Sequence, residues 1–502
     1  MTEHYPALLV VIPLLSAFVI SGAAWVKRSL CYPVALISLG SSAYCSVGLL
    51  WRVITGGTVE YRLGGWEAPW GIVYVVDLLN ALVLVVISVL AFINLITVDR
   101  SIKEEFSEKS GAFYTLYVLF VTGLMGIVVT GDLFNLYVLL EITSLSSYAL
   151  IALGKDRAAI SSLNYVFMGT IGACFYLLGV GYLYIMTGSL NMADVASILP
   201  KLYHSSAILV AFIFCMVGVW IKMALFPLHV WLPNAYTFAP SPVSSLLAPL
   251  MTKGMVYVML RLMLTVFTPA YAFIELGISD AIVWLSTIAI LVGAFFALTQ
   301  KNLKRMFTYI IVSEIGYMVG GAWIGNQAGI TGTILHIMND ATMTLCLFLA
   351  ANSIAHKVGT LDFENLRGLF RKMPFTMAAL VAGALGMIGV PPSCGFFSKW
   401  YLISGAVQAN HYGFMTALLL SSLINAILFF RVIEFGYFEP VGAQHDHNSH
   451  HHESHGSSIE ESPPLMLVPL LIVAVGIFVL GTYTGDIVTH IVGPFVTKAL
   501  GL

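Results

Sequence analysis

Residues 131–153 read GDLFNLYVLLEITSLSSYALIAL. A helix needs about 20 mainly apolar residues to cross a hydrocarbon core, and this run is long enough to do so. One ionisable side chain, Glu141, stands near its middle. At helical spacing Glu141 shares a face with Tyr137, Ser144, Leu145 and Tyr148, so that the tyrosine and serine hydroxyls are placed to solvate it or to carry a chain of water. A charge at the centre of a bilayer costs about 3 kcal/mol or more unless it is paired or hydrated, so an acid here points to function before packing.

The rest of the chain repeats the pattern. Of its 502 residues 59% are apolar and 10% are Asp, Glu, Lys or Arg, against about 25% charged residues in soluble domains. With a mean hydropathy of +0.91, the composition defines an all-α polytopic membrane protein. Fourteen stretches, from 7–25 to 465–491, are long and apolar enough to span. The first residues, Met1-Thr2-Glu3-His4, lack the positive region of a cleaved signal, so the first run reads as a retained span. Basic and acidic residues nearly cancel, 23 against 25, which argues against nucleic-acid binding. The six cysteines lie in apolar runs with no CxxC pair, as packing residues do.

Basic residues give the orientation. With the N-terminus outside and strict alternation, the inside loops collect most of them, among them Lys27, Arg28, Lys155, Arg157, Lys301, Lys304 and Arg305. The outside loops hold only Arg52, Arg62, Lys201 and Lys498. Both termini are therefore expected on the outer side. The inside loop before the last span contains HDHNSHHHESH (445–455), a candidate metal- or pH-responsive tract whose plainer reading is a solvated loop.

Lys222, Lys253, Arg261 and Lys399 fall inside spans, as do Glu314, Asp340, His229 and His336. Asp77, Arg261 and Glu434 lie near span ends, where interfacial anchoring accounts for them. Three lysines stand beside helix breaks: Lys222 five residues before Pro227, Lys253 just after Pro249, and Lys399 eight residues after Pro391. Proline frees a backbone carbonyl, and broken membrane helices survive only where they are buried in protein or line a cavity. Desolvation favours neutral lysine and a nearby carboxylate favours ammonium. A Glu141–Lys222 pair of variable separation would therefore hold and release a proton, and Lys253 and Lys399, bridged by His229, His336 and water, would relay it. Static pairing that ties helices together is the competing reading, but packing alone does not require three lysines beside broken helices. Spans four to eight and nine to thirteen begin from opposite sides, as in an inverted-topology repeat.

The stretch 131–153, then KMALFPLHVWLPNAYTFAPSPVSSLLAPLMTKGMVYVMLR (222–261), then GVPPSCGFFSKW (389–400), resembles in order the central motifs of the antiporter-like subunits shared by Mrp-type cation/proton antiporters, respiratory complex I and membrane-bound hydrogenases. The opening LGGWEAPWGIVYVVD (63–77) looks closest to the D-type subunits of Mrp antiporters and their hydrogenase relatives. The resemblance implies about 14 transmembrane helices with two inverted five-helix repeats containing broken helices. The corresponding expectation is a three-span region (1–111), first repeat (112–270), second repeat (271–436), His-rich inside loop (437–464) and C-terminal span (465–502). It further implies Glu141 and Lys222 as the coupled pair, Lys253 as central relay, Lys399 near the exit, and a role for His229. Such subunits work beside other membrane subunits in a bacterial or archaeal plasma membrane. They move protons, with sodium a candidate second ion, and carry no redox cofactor.

One departure stands out. Relatives show a pattern like HxxNHAxxK where this chain has HIMNDATMTLCLF (336–348), keeping His336 but placing Asp340 and Thr344 at the second histidine and the lysine. VSEIGYM (312–318) adds Glu314. These two acids are expected to belong to the pathway, either keeping it proton-loaded or offering oxygens to a hard cation such as sodium. Two other functions compete: a stand-alone proton-coupled carrier, and a haem-bearing anchor using His229 and His336 as axial ligands. Independent catalysis finds no phosphate loop, HExxH or nucleophile elbow. An enzymatic role would come only as a subunit of an NADH:quinone oxidoreductase-like or hydrogenase-type translocase.

Overall fold

In lipid every backbone polar group must be satisfied within the protein, and the apolar runs accordingly form helices. The computed structural model describes residues 2–438 and 459–502; the tract 445–455 lies outside them. In chain order the helices are α1 (Tyr5–Val26), α2 (Cys31–Gly56), α3 (Leu78–Glu105), α4 (Ser110–Val129), α5 (Leu133–Ala152), α6 (Ala158–Thr187), α7 (Met192–Ile198), α8 (Ser206–Met223), α9 (Trp231–Phe238) and α10 (Ser241–Arg261). They continue as α11 (Ser279–Leu298), α12 (Leu303–Trp323), α13 (Gln327–Val358), α14 (Leu369–Lys372), α15 (Pro374–Ile388), α16 (Cys394–Gln408), α17 (Tyr412–Ile433), α18 (Pro464–Thr482), α19 (Thr484–Ile487) and α20 (Gly493–Leu500). A small antiparallel hairpin, β1 (Val59–Arg62) and β2 (Val73–Val76), pairs Val59 with Val76 between α2 and α3.

Among the described residues, twelve helices are long and apolar enough to cross a membrane. The expected tenth span, 306–324, corresponds to α12, whose residues are nearly all buried. The expected twelfth, 375–406, is interrupted into α15 and α16. The expected seventh is likewise broken, between α8 and α9. The breaks have visible causes. Ala224 adopts a left-handed conformation at the end of α8, three residues before Pro227. Gly389 (φ 88°) ends α15, and Pro391 and Pro392 keep the chain from resuming a helix until Cys394.

Two loops carry the same device. Asp132 caps α5 by accepting the Asn135 N–H at 2.6 Å, and Leu133 N–H donates to Leu190 O at 2.9 Å. Asn302 caps α12 by accepting the Arg305 N–H at 3.2 Å, and Leu303 N–H donates to Leu361 O at 2.8 Å. In each case an Asx residue starts a helix that carries a mid-helix glutamate, Glu141 or Glu314.

Apolar burial gives little drive for helix association in lipid, so close packing through small residues matters. A Cβ built on Gly218 of α8 would stand 2.6 Å from Gly172 O of α6. One on Gly293 of α11 would stand 2.6 Å from Ser313 N of α12. Gly218→Leu is therefore expected to cost about 1–3 kcal/mol through overpacking, read as a lower unfolding temperature of the purified complex. The outer helices turn apolar side chains such as Phe18, Phe167, Leu423 and Val475 outward. The residues of α10 and α13 are almost all buried, and the two helices pack together at the centre.

Candidate functional site

The buried charges fall into two groups. In the first, Lys222 occupies the last turn of α8, against the break, and is 1% exposed. Its Nζ lies 3.3 Å from Glu141 Oε1 and donates to Ser144 Oγ at 2.7 Å. The Glu141 side chain is 27% exposed at the surface of the chain, whereas the lysine is buried. Ser144 was expected on the Glu141 face, and it serves the lysine directly.

The second group is centred on α13. Lys253 of α10 pairs with Asp340 Oδ2 at 2.9 Å, and Thr344 donates to Asp340 Oδ1 at 2.8 Å. One turn earlier on α13, His336 Nε2 meets Glu314 Oε2 at 2.6 Å and its Nδ1 meets Ser398 Oγ at 2.9 Å. Glu314 Oε1 faces Lys399 Nζ at 4.0 Å. Lys399 donates to Met387 O at 2.6 Å and to Ser422 Oγ at 3.2 Å, and its ammonium lies 5.0 Å from the centroid of the Tyr317 ring. Met387 is in the last turn of α15, where carbonyls lack helical partners, so the helix break itself supplies an acceptor and the negative end of a dipole. Glu314, His336 and Asp340 are fully buried.

The expected residues thus divide cleanly. Glu141 and Lys222 form one pair; on α13 Asp340 holds Lys253 and, one turn away, His336 joins Glu314, which faces Lys399. His229 joins neither: it stands in the α8–α9 break beside the Phe226 ring, with Nδ1 unpartnered. Both nitrogens of His336 are engaged, so it offers no nitrogen to a haem iron. Among the described residues no group of three His, Cys, Asp or Glu side chains is arranged to hold a metal ion.

Two placements correct the sequence reading. Asp77 and Arg261, expected as separate interfacial anchors, face each other: Arg261 Nη1 donates to Asp77 Oδ2 at 2.7 Å and Nη2 to Oδ1 at 3.1 Å. Asp77 also caps α3, which aims its carboxylate back at the end of α10. Lys304, expected in an inside loop, lies in the first turn of α12 and is 6% exposed, because Asn302 starts that helix a few residues before the apolar run. Sequence reasoning passed over Ser398, Ser422 and Tyr317, since hydroxyl and aromatic residues in an apolar run carry no charge to signal them.

A multi-pass helical chain with paired acids and lysines inside its bundle is an integral membrane protein. The chain belongs to the NADH:quinone oxidoreductase/Mrp antiporter transmembrane (TM) family, whose pattern matches residues 130–425. It is 40% identical over 498 residues to the N subunit of the NADH-quinone oxidoreductase of Desulforudis audaxviator, covering 98% of each chain. It is 31% identical to the D subunit of the Na(+)/H(+) antiporter of Alkalihalophilus pseudofirmus, covering 80% of this chain and 82% of that one. Its fold matches a chain in the structure of the membrane-bound sulfane sulfur reductase, an archaeal respiratory membrane complex, with a TM-score of 0.88, 28% identity and 99% coverage of both chains.

Proposed function

We propose that this chain is a proton-translocating subunit of a multisubunit membrane complex, moving protons through the Glu141–Lys222 pair and the Lys253–Asp340–His336–Glu314–Lys399 cluster. The observation that carries the reading is a buried row of five ionisable side chains: Lys253 pairs with Asp340, and one turn away on α13 His336 meets Glu314, which faces Lys399 just past the α15–α16 break. Its relatives are named as subunits, one of a quinone oxidoreductase and one of a sodium/proton antiporter, and both drives are compatible with this chain. The resemblance near residues 63–77 favours the antiporter reading, with a redox-driven pump as the alternative. Partner membrane subunits fit either.

The matching Asx-capped starts of α5 and α12 support two inverted five-helix repeats in which Glu314–Lys399 answers Glu141–Lys222. The excess of basic residues in alternate loops supports both termini on the outer side of a prokaryotic plasma membrane. Glu314 Oε2 and both Asp340 oxygens face His336, Lys253 and Thr344, while Glu314 Oε1 has only Lys399 at 4.0 Å; basic partners around both acids favour proton loading over cation coordination.

The test uses the native complex in liposomes, driven in turn by a sodium gradient and by a quinone reductant. Proton movement under one drive identifies the class. Lys399→Ala is expected to lower it about tenfold, since the alanine leaves Glu314 with His336 on one side and no lysine to hand its proton on to. An undiminished rate in that variant rules out Lys399 as a relay residue.

A further inference from the structure

A broken helix persists in a membrane only where protein covers the gap, and the α15–α16 break is covered by the last long helix, α18. Just before α18 begins, Glu461 Oε1 accepts the Phe375 N–H at 2.6 Å and the Thr376 N–H at 3.2 Å. Its Oε2 accepts the Thr376 hydroxyl at 2.7 Å. These amides lie in the first turn of α15, where N–H groups lack helical partners, and Met373 at the capping position offers no side-chain acceptor. A carboxylate 86 residues further along the chain therefore caps α15 and sits at the positive end of its dipole. Its neighbours fasten the same spot: Glu460 N–H donates to Lys372 O at 2.7 Å, and Ser462 Oγ donates to Ser353 O of α13 at 3.4 Å.

The far end of α18 meets the other end of α15. Gly481, in the last turn of α18, lies so close to the break that a Cβ there would collide with Pro392 O and stand 3.0 Å from the N of Cys394, where α16 begins. One turn earlier, Ile477 borders Gly386 of α15, and Gly395 of α16 has no room for a Cβ against Gly386 O. The next residue is Met387, whose carbonyl accepts from Lys399 Nζ at 2.6 Å. With 15 residues α15 is a rod about 22 Å long. One helix thus holds both of its ends, and with them the carbonyl on which Lys399 rests.

We propose that α18 is a splint for the broken helix, and that Glu461 and Gly481 are positioning residues for Lys399, fixing Met387 O beside Glu314. It rests on the reading of Lys399 as a relay residue. Lys399 is held by Met387 O at 2.6 Å and Ser422 Oγ at 3.2 Å, with Glu314 Oε1 further off at 4.0 Å. A shift of about 1 Å in that carbonyl changes which partner the ammonium faces, and misplacement on this scale costs rate far from where it originates. A helix that only anchored the end of the chain would need ordinary side-chain packing. Here the contacts fall on the free amides that open α15 and on the backbone of the gap that closes it.

The experiment measures proton movement by the reconstituted native complex carrying Glu461→Ala, Glu461→Gln, Gly481→Ala, Gly476→Ala or Lys399→Ala, with subunit assembly checked for each. Glu461→Ala and Gly481→Ala are each also combined with Lys399→Ala. Alone, both are expected to lower the rate about fivefold. Glutamine keeps an oxygen that accepts the α15 amides, so Glu461→Gln is expected to retain most of the rate. Gly476 is on the same helix with open space around it, so Gly476→Ala is expected to match wild type. Because the two residues act through Lys399, neither is expected to slow the Lys399→Ala complex further. Losses that multiply in the double variants overturn the proposal, since the residues then brace the fold at large. Wild-type rates in Glu461→Ala and Gly481→Ala beside a slow Lys399→Ala also overturn it, while leaving the relay intact. A wild-type rate in Lys399→Ala overturns both. If Gly481→Ala fails to assemble, the Glu461 variants decide the matter alone.

Discussion

Glu141→Ala and Lys222→Ala, each in the intact complex in liposomes, are expected to lower proton movement by at least about tenfold, equivalent to about 1.4 kcal/mol of barrier. Lys222 is sealed from water at the end of α8, with the Glu141 carboxylate and the Ser144 hydroxyl as polar neighbours. Without the carboxylate the ammonium loses the opposite charge that makes it tolerable in a dry site; without the lysine the carboxylate has nothing to exchange with. Glu141→Gln keeps the shape and is expected to fail as badly as the alanine, because the charge is what matters. Repeating the assay with and without sodium separates an antiporter from a pure proton pump. Normal rates from correctly assembled Glu141→Ala and Lys222→Ala complexes would make the pair a static brace.

Asp340→Ala is expected to have the largest effect on stability. It strips the acid from Lys253, which is 2% exposed, and breaking a buried ion pair costs about 3–5 kcal/mol. The variant complex should unfold at a markedly lower temperature or fail to assemble. Asp340→Leu combined with Lys253→Met removes both charges and is expected to recover most of that stability while leaving proton movement abolished. This split matters because the single variant alone confounds folding with transport. The stability loss should be the same with and without sodium, since Asp340 spends its oxygens on a lysine and a threonine. A loss that grows when sodium is added would assign Asp340 to cation binding.

Much of this was readable from charge alone. A glutamate or lysine inside twenty apolar residues announces itself, so Glu141, Lys222, Lys253, Glu314, Asp340 and Lys399 were all found, as were the helix breaks beside Pro227 and Pro391; the break expected beside Lys253 is absent, because α10 runs through Pro249 from Ser241 to Arg261. Partners were harder, because pairing depends on which helices meet. Lys253 and Asp340 are neighbours only because α10 and α13 pack together at the centre. Arg261 and Asp77 looked like anchors for the same reason. Lys304 was misplaced because hydropathy marks where a run becomes apolar, whereas Asn302 marks where the helix begins.

The glycine contacts between α6 and α8, and between α11 and α12, bear on how the machine moves. Alternating-access carriers rock one bundle against another, which requires interfaces that slide. Here backbones meet so closely that even one added carbon on Gly218 or Gly293 has no room. Such seams resist sliding, and the two broken helices that carry Lys222 and Lys399 are bordered by packed neighbours. The parts left to change state are side chains a few ångströms long and the water between them. Under the proposed relay, a subunit built this way would work as a switchable wire on a rigid frame, its turnover following the reorientation of lysines and hydration of the path, with little change in the outline of the protein.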